Sequence, residues 1–286
     1  ALPICHLLWC GTSALELNMS SVFMYAMATR EKILDLFEEM SGARMFPSCW
    51  RIGGLSYDLN EGFESETRKF LKDFPATWKD LDNLLTNNYV WCERLQEVAI
   101  IDKECCHQYG CTGPIIRAAG IPYDIRKVYP YLGYENYDFD VPTRTESDCY
   151  ARYMIRMEEM KQSASLVEQG LSKLKPGPVL TNNRKVALPP RSELPRSMEA
   201  VIHQFKLVSA GFNPPIGNVY NCVESARGEL GHYLVSDGSN RPYRLRVCSP
   251  SFKHVQVLKE VLIGHNISDV VVGIASVDPI MGDVDR

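Results

Sequence analysis

Apolar residues recur at helical spacing over 7–17 and again over 21–40, while Arg30, Glu31, Lys32, Glu38 and Glu39 mark a solvent-facing side. Two helices follow from that pattern. Ser41-Gly42-Ala43-Arg44-Met45 and Arg51-Ile52-Gly53-Gly54 then bring small residues that break helices and let backbone approach closely, the mark of a functional turn region. Over 66–109 the helical pattern returns, with Phe70, Leu71, Trp78, Leu81, Leu84 and Leu85 inward and Asp73, Lys79 and Asp80 outward. Residues 110–127 are rich in glycine and proline and predict an ordered loop with short helical pieces, wrapped over the bundle surface. A long helix is expected from Thr145 or Ser147, either a plausible N-cap, to about Leu174. Its stripe of Tyr150, Tyr153, Met154, Met157 and Met160 reads as core packing.

Prolines 176, 178, 189, 190 and 195 mark 175–195 as a connector. Ser197 caps a short helix through Phe205. Segments 219–223, 231–236 and 243–247 are rich in β-formers and are separated by Ala226-Arg227-Gly228-Glu229 and Asp237-Gly238-Ser239-Asn240, which predicts a small antiparallel meander. A last helix near 252–263 precedes an apolar run of Val270, Val271, Val272 and Ile274. The ending, Asp278-Pro279-Ile280-Met281-Gly282-Asp283-Val284-Asp285-Arg286, keeps Ile280, Met281 and Val284 between its charges and reads as a buried plug rather than a frayed terminus. The fold class is mainly α, in three parts: a helical core over 1–174, the connector over 175–195, and an α+β part over 196–286.

Composition narrows the function classes. The chain has 286 residues, 45% apolar, enough for one large core or two modest ones. A net charge of −4 gives no broad basic field, so nucleic acid is excluded as a partner. The ten cysteines are scattered and point to reduced thiols; the tightest cluster, Cys105-Cys106-His107 with Cys111, lacks a second ligand pair at zinc spacing. No Cys-x-x-Cys, no phosphate-cradling glycine motif and no recognisable Ser/His/Asp set occurs, so no bound metal or nucleotide is expected. The first Lys or Arg is Arg30, yet His6, Glu16 and Asn18 interrupt the apolar stretch before it, and no basic n-region precedes it. A helix buried in a larger assembly is the better reading. The chain also opens at Ala1 within what reads as helix, so an upstream segment is expected.

The ending echoes the metal-binding terminus of nickel–iron hydrogenase large subunits, with Ile280 and Asp283 where two thiolates would stand, so no nickel is expected. REKI at 30–33, SGARM at 41–45, RIGG at 51–54, GCTGPIIRAAG at 110–120, SDCYARYMIRMEEMKQS at 147–163, SMEAVIHQFK at 197–206 and ESARGELGHYLVSDGSNRPYRLRV at 224–247 occur in order. Together with the ending they resemble the hydrogenase-like, quinone-site subunit of respiratory complex I, NADH:ubiquinone oxidoreductase. That resemblance implies a hydrogenase-like helical core bounding the chamber where ubiquinone, the substrate, meets a terminal 4Fe–4S cluster held by a neighbouring subunit. The chain itself would bind no cofactor alone, and would catalyse only within the complex, which couples NADH oxidation to quinone reduction and proton translocation.

Carried over position by position, Leu8, Thr12, Glu16 and Phe23 match helix positions lining the quinone chamber. Asp278 and Ile280 match C-terminal positions there, with Glu16 and Asp278 as the candidate proton-handling carboxylates. Glu16 replaces the family's usual Asp, and desolvation is expected to raise its pKa. Phe46 and Arg286 fall near the cluster; Phe46 stands where the family has a His, so the cluster's potential should depend less on pH. Thr143, Arg144 and Ser147 stand where the family tends to have an apolar residue and glycines, so the family's conformation of that loop does not carry over automatically. The resemblance further implies as partners the cluster-bearing subunit, other peripheral- and membrane-arm subunits, and a separate chain supplying the family's N-terminal section. It places the complex on the matrix face of the inner mitochondrial membrane or the cytoplasmic face of a bacterial one. An inert scaffold in a degenerate complex and a plastoquinone-reducing plastid homologue are the alternatives.

Overall fold

The computed structural model describes residues 2–285. Helices α1 (Leu2–Glu16) and α2 (Ser20–Ser41) form an antiparallel pair joined by a tight turn. Gly11 permits their close approach, because a Cβ there would press on Ala26, Met27 and Phe23 at 3.2–3.4 Å. Helix α2 ends as a glycine stop should, with Gly42 left-handed and its N–H donating to the Glu38 carbonyl. A two-residue hairpin, β1 (Trp50–Arg51) and β2 (Gly54–Leu55), occupies the turn region. After it come α3 (Phe63–Leu85), α4 (Tyr89–Leu95), α5 (Lys103–Tyr109), α6 (Pro114–Ala118) and α7 (Ile125–Val128).

The long α8 (Cys149–Lys173) packs against α1, α3, α6 and α11 (Ile267–Ser276), and so forms the axis of the molecule. Tyr153, Met157 and Met160 are buried in the main core with Leu7, Trp9, Trp91, Leu81 and Leu85, as their stripe predicts; Tyr150 and Met154 are partly buried against it. Leu84 is exposed, since it lies off the face of α3 that carries Phe74, Leu81 and Leu85. The N-cap of α8 is neither Thr145 nor Ser147. Asp148 accepts from the Ala151 N–H at 2.7 Å and from the Glu97 N–H at 3.0 Å, while Ser147 is left-handed at φ 64°.

Helix α9 (Met198–Ser209) is capped by Ser197 as expected, and β3 (Gly217–Glu224), β4 (Glu229–Ser236) and β5 (Arg244–Cys248) form the antiparallel meander in the order β3-β4-β5. Helix α10 (Pro250–Val261) covers a second core of Ile101, Cys106, Cys111, Ile115, Ile116 and Val257. The apolar run at 270–274 belongs to α11, and the chain closes with α12 (Met281–Asp285), a short helix against α10.

Two expectations are overturned. Residues 111–119 and 124–126 are buried without exception, so most of 110–127 runs through the interior and only Gly110, Pro122 and Lys127 are exposed. Its glycines serve close packing there, and its polar groups find internal partners. The closing segment is not a plug: Ile280 is 42% and Met281 66% exposed, because α12 lies on the outside of α10. Its start is held by Arg227, and Asp283 and Val284 are half-buried. Arg286 lies outside the described residues.

Candidate functional site

Leu8, Thr12 and Glu16 follow one another at i, i+4 and i+8 on α1, which aligns them along one side of the helix. Leu8 is half-buried; Thr12 and Glu16 are exposed. Thr12 spends its hydroxyl locally, donating to the Leu8 carbonyl at 3.0 Å. Phe23 lies half-buried on α2, across from Gly11. Glu16 borders a small pocket of about 10 Å³, room for one water, shared with Trp9, Ser13, Trp91, Val272 and Ser276. The burial expected of the Glu16 carboxylate is therefore absent from this chain by itself.

Asp278 occupies the link between α11 and α12, held in the left-handed conformation at φ 52°. Arg227 fixes it twice: Nε donates to the Asp278 carbonyl at 2.9 Å, and Nη2 donates to Oδ1 at 3.2 Å. The second carboxylate oxygen, Oδ2, has no hydrogen-bond partner, although the same Nη2 lies 3.2 Å away. Arg227 in turn sits on a turn clamped to the interior segment. Thr112 Oγ1 accepts from the Glu229 N–H at 3.0 Å, and Gly113 (φ 70°) and Gly228 (φ 139°) lie so close that a Cβ on either would overlap the facing segment. Thus the GCTGP and ARGE motifs are two halves of one joint, and the joint places Asp278.

Behind Asp278 lies a buried charge network that sequence reasoning missed. His6 Nε2 donates to Glu159 Oε2 at 2.7 Å, and Arg117 Nε stands 2.8 Å from Glu159 Oε1. Arg117 Nη1 donates to Glu224 Oε1 at 2.9 Å and lies 3.6 Å from Asp124, which is bound by Arg126 at 2.6 Å. Burial alone would raise the Glu159 carboxyl, yet Arg117 and His6 hold it down at about 2. Burial pushes His6 below its ordinary value despite Glu159, which favours the neutral imidazole. Burial likewise lowers Arg156 to about 10, opposed by Asp278 and Glu159, while its guanidinium stacks over Trp9 at 4.1 Å. Burial and then the nearby Arg156 charge lower His254 to about 3; its Nε2 accepts from the Thr112 N–H at 3.3 Å. Arg152 completes the interior by donating to Ser276 Oγ and to the carbonyls of Ser147 and Ala99. A sequence signal for part of this existed: Arg152, Arg156, Glu159 and Ser163 recur at helical spacing beside the methionine stripe.

Asp278 acts on the network through its charge, raising Arg156 and His6 against the effect of burial, but the structure does not gather the sequence-designated residues round one closed cavity. Asp278 is half-buried, whereas Thr12, Glu16 and Ile280 are exposed. Phe46, at the end of the SGARM turn, is 87% exposed and left-handed at φ 56°. Its neighbour Arg44 pairs with Glu31, Asp35 and Glu38 along α2. All ten cysteines are unbridged, and among the described residues no group of three or more His, Cys, Asp or Glu is arranged to hold a metal. Nor is any helix among them long and apolar enough to cross a membrane.

Residues 16–286 match the family described as respiratory-chain NADH dehydrogenase, 49 Kd subunit. An NADH-quinone oxidoreductase subunit of Protochlamydia amoebophila (strain UWE25) is 72% identical over 281 residues, covering 98% of this chain and 70% of that protein. The corresponding protein of Roseiflexus sp. (strain RS-1) is 49% identical over 284 residues, 98% of this chain and 68% of that protein. That of Geotalea uraniireducens (strain Rf4) is 43% identical over 281 residues, 98% and 72%.

Proposed function

The chain belongs to the respiratory-chain NADH dehydrogenase 49 Kd subunit family, and we propose that, as a complex I core subunit, it forms one wall of a ubiquinone chamber closed by a cluster-bearing neighbour. The observation that carries this reading is Asp278: a half-buried carboxylate whose two oxygens both lie 3.2 Å from Arg227 Nη2, with buried charged groups near it. Quinone reduction takes up two electrons and two protons, so it needs proton-handling groups held still beside the headgroup, in a site that a second surface seals from water. Asp278 supplies such a group. Glu16, Thr12, Leu8 and Phe23 supply a second, partly exposed face that gains its desolvation only when a neighbour covers it. Ile280 offers apolar surface next to the carboxylate.

Electrons reach the quinone from a 4Fe–4S cluster on the neighbouring subunit, and the NADH and flavin sites belong to other subunits. In the assembled complex the reaction is coupled to proton translocation. The bacterial origin of the relatives favours the cytoplasmic face of a bacterial membrane, with the mitochondrial matrix face as the equivalent position.

Replacing Asp278 by Asn in the assembled complex tests the reading. It should lower inhibitor-sensitive NADH:quinone activity at least tenfold while NADH oxidation by a water-soluble ferricyanide acceptor stays unchanged. Unaltered quinone reduction would remove Asp278 from the site. A second test concerns Phe46, which cannot take a proton. The midpoint potential of the nearby cluster should shift by much less than the roughly 59 mV per pH unit of a one-electron, one-proton couple, and a full slope in potentiometric titration would refute its position beside the cluster.

A further inference from the structure

Helix α9 is built inside out. Of its twelve residues only Ala200 is buried, and the half-buried His203, Gln204 and Leu207 share its side of the helical wheel. Met198, Val201, Ile202, Phe205 and Val208 fall on the opposite arc and are between 42% and 75% exposed. A helix of a self-contained protein buries its apolar stripe; this one presents it. Both ends of the helix are hydrogen-bonded. Ser197 Oγ accepts from the Ala200 N–H at 3.2 Å, and at the other end Asn240 Nδ2, in the β4–β5 turn, donates to the Ala210 carbonyl at 2.5 Å. That turn leads into an exposed Tyr243, Arg244, Leu245 and Arg246.

Charge identifies the kind of partner. Residues 191–248 carry seven Lys and Arg against five Asp and Glu, in a chain whose net charge is −4. The acids are largely engaged: Glu193 by Arg184, Glu224 by Arg117, and Glu229 by Tyr220 and Tyr123. Arg196, Lys206, Arg241, Arg244 and Arg246 are exposed and have no ion pair among the described residues. A contiguous apolar face beside uncompensated cations calls for a surface that is apolar at its centre and acidic at its rim.

We propose that the outer face of α9, together with exposed Tyr243 and the start of β5 at residues 244–246, docks another protein subunit whose facing surface has that character. The proposal rests on the family reading only in that such a subunit belongs to the same complex. An anionic bilayer fits less well, because Glu199 and Asp237 stand exposed among the cations.

A photoreactive benzoylphenylalanine at Val201, at Phe205 and, as a control, at Lys72 on the exposed side of α3 tests this in the assembled, purified complex. The first two should cross-link to one and the same other subunit, through peptides rich in Asp or Glu, and Lys72 should not. Phe205→Asp should lower retention of that subunit at least fivefold and Arg244→Glu severalfold, while Phe205→Leu retains it. Cross-links to lipid only, to a second copy of this chain, or to nothing, would overturn the proposal. If they fail while inhibitor-sensitive quinone reduction persists, the docking surface falls and the quinone reading stands.

Discussion

Glu159 has no access to water, and it stays charged because Arg117 and His6 close on its two oxygens at 2.8 and 2.7 Å. Removing it strands two partners in the interior. Glu159→Ala should therefore destabilise the chain by about 3–5 kcal/mol, read as a lower denaturant midpoint; a loss under 1 kcal/mol would mean the network contributes little. His254 and His6 predict an acid sensitivity with a definite sign. Both have folded values below the ordinary 6.5, so the unfolded chain binds protons that the folded chain refuses, and stability falls as pH drops from about 6.5. By pH 5 His254 alone should account for about 2 kcal/mol; comparing denaturant midpoints at pH 7 and 5, with His254→Asn flattening the difference, checks this. Ser147, read in the sequence as standing where the family has glycine, does adopt a glycine-like φ of 64°. Ser147→Gly should then stabilise by about 1 kcal/mol, the cost of a left-handed L-residue, measured as a raised midpoint. These residues divide by legibility. The special backbone at Ser147 is signalled only by the glycine of the family that the chain resembles, whereas Glu159 and His6, 153 positions apart, form a pair that no local pattern announces.

The elements themselves are well predicted where periodicity governs: the paired α1 and α2, the long α8, the Ser197-capped α9 and the meander all occupy their expected places. The segment at 110–127 departs from expectation for a physical reason. Gly and Pro signal a break in regular structure but not its depth, and here Gly113 and Gly228 serve an internal joint between α6 and the β3–β4 turn. Gly113→Ala would meet both an unfavourable φ of 70° and the Arg227 carbonyl. It should cost about 2 kcal/mol or more in stability, and because the joint carries Arg227 and thereby Asp278, quinone reduction should fall with it. A variant as stable and as active as the parent would show that the joint tolerates a side chain. The closing helix α12 departs in the other direction: apolar residues between charges suggest burial, yet Ile280 and Met281 lie exposed on α10.

At the scale of the whole molecule, the chain places its most ordered chemistry inside and its designated quinone-facing residues at the border between interior and surface. Leu8, Phe23 and Asp278 are half-buried, while Thr12, Glu16 and Ile280 are exposed. Such an arrangement suits one half of a site that a neighbour completes. Composition and periodicity yield a mainly helical, interaction-rich chain and stop there; the positions proposed to face quinone rest on the family resemblance, because a half-site has no closed constellation for spacing to reveal. The most direct test of the central claim is photoaffinity labelling of the purified complex with a short-chain azido-ubiquinone, followed by peptide mapping. The account predicts label on 8–23 and on 278–281 of this chain, displaced by excess ubiquinone. Displaceable label confined to other subunits, or to a region of this chain remote from Asp278, would contradict it.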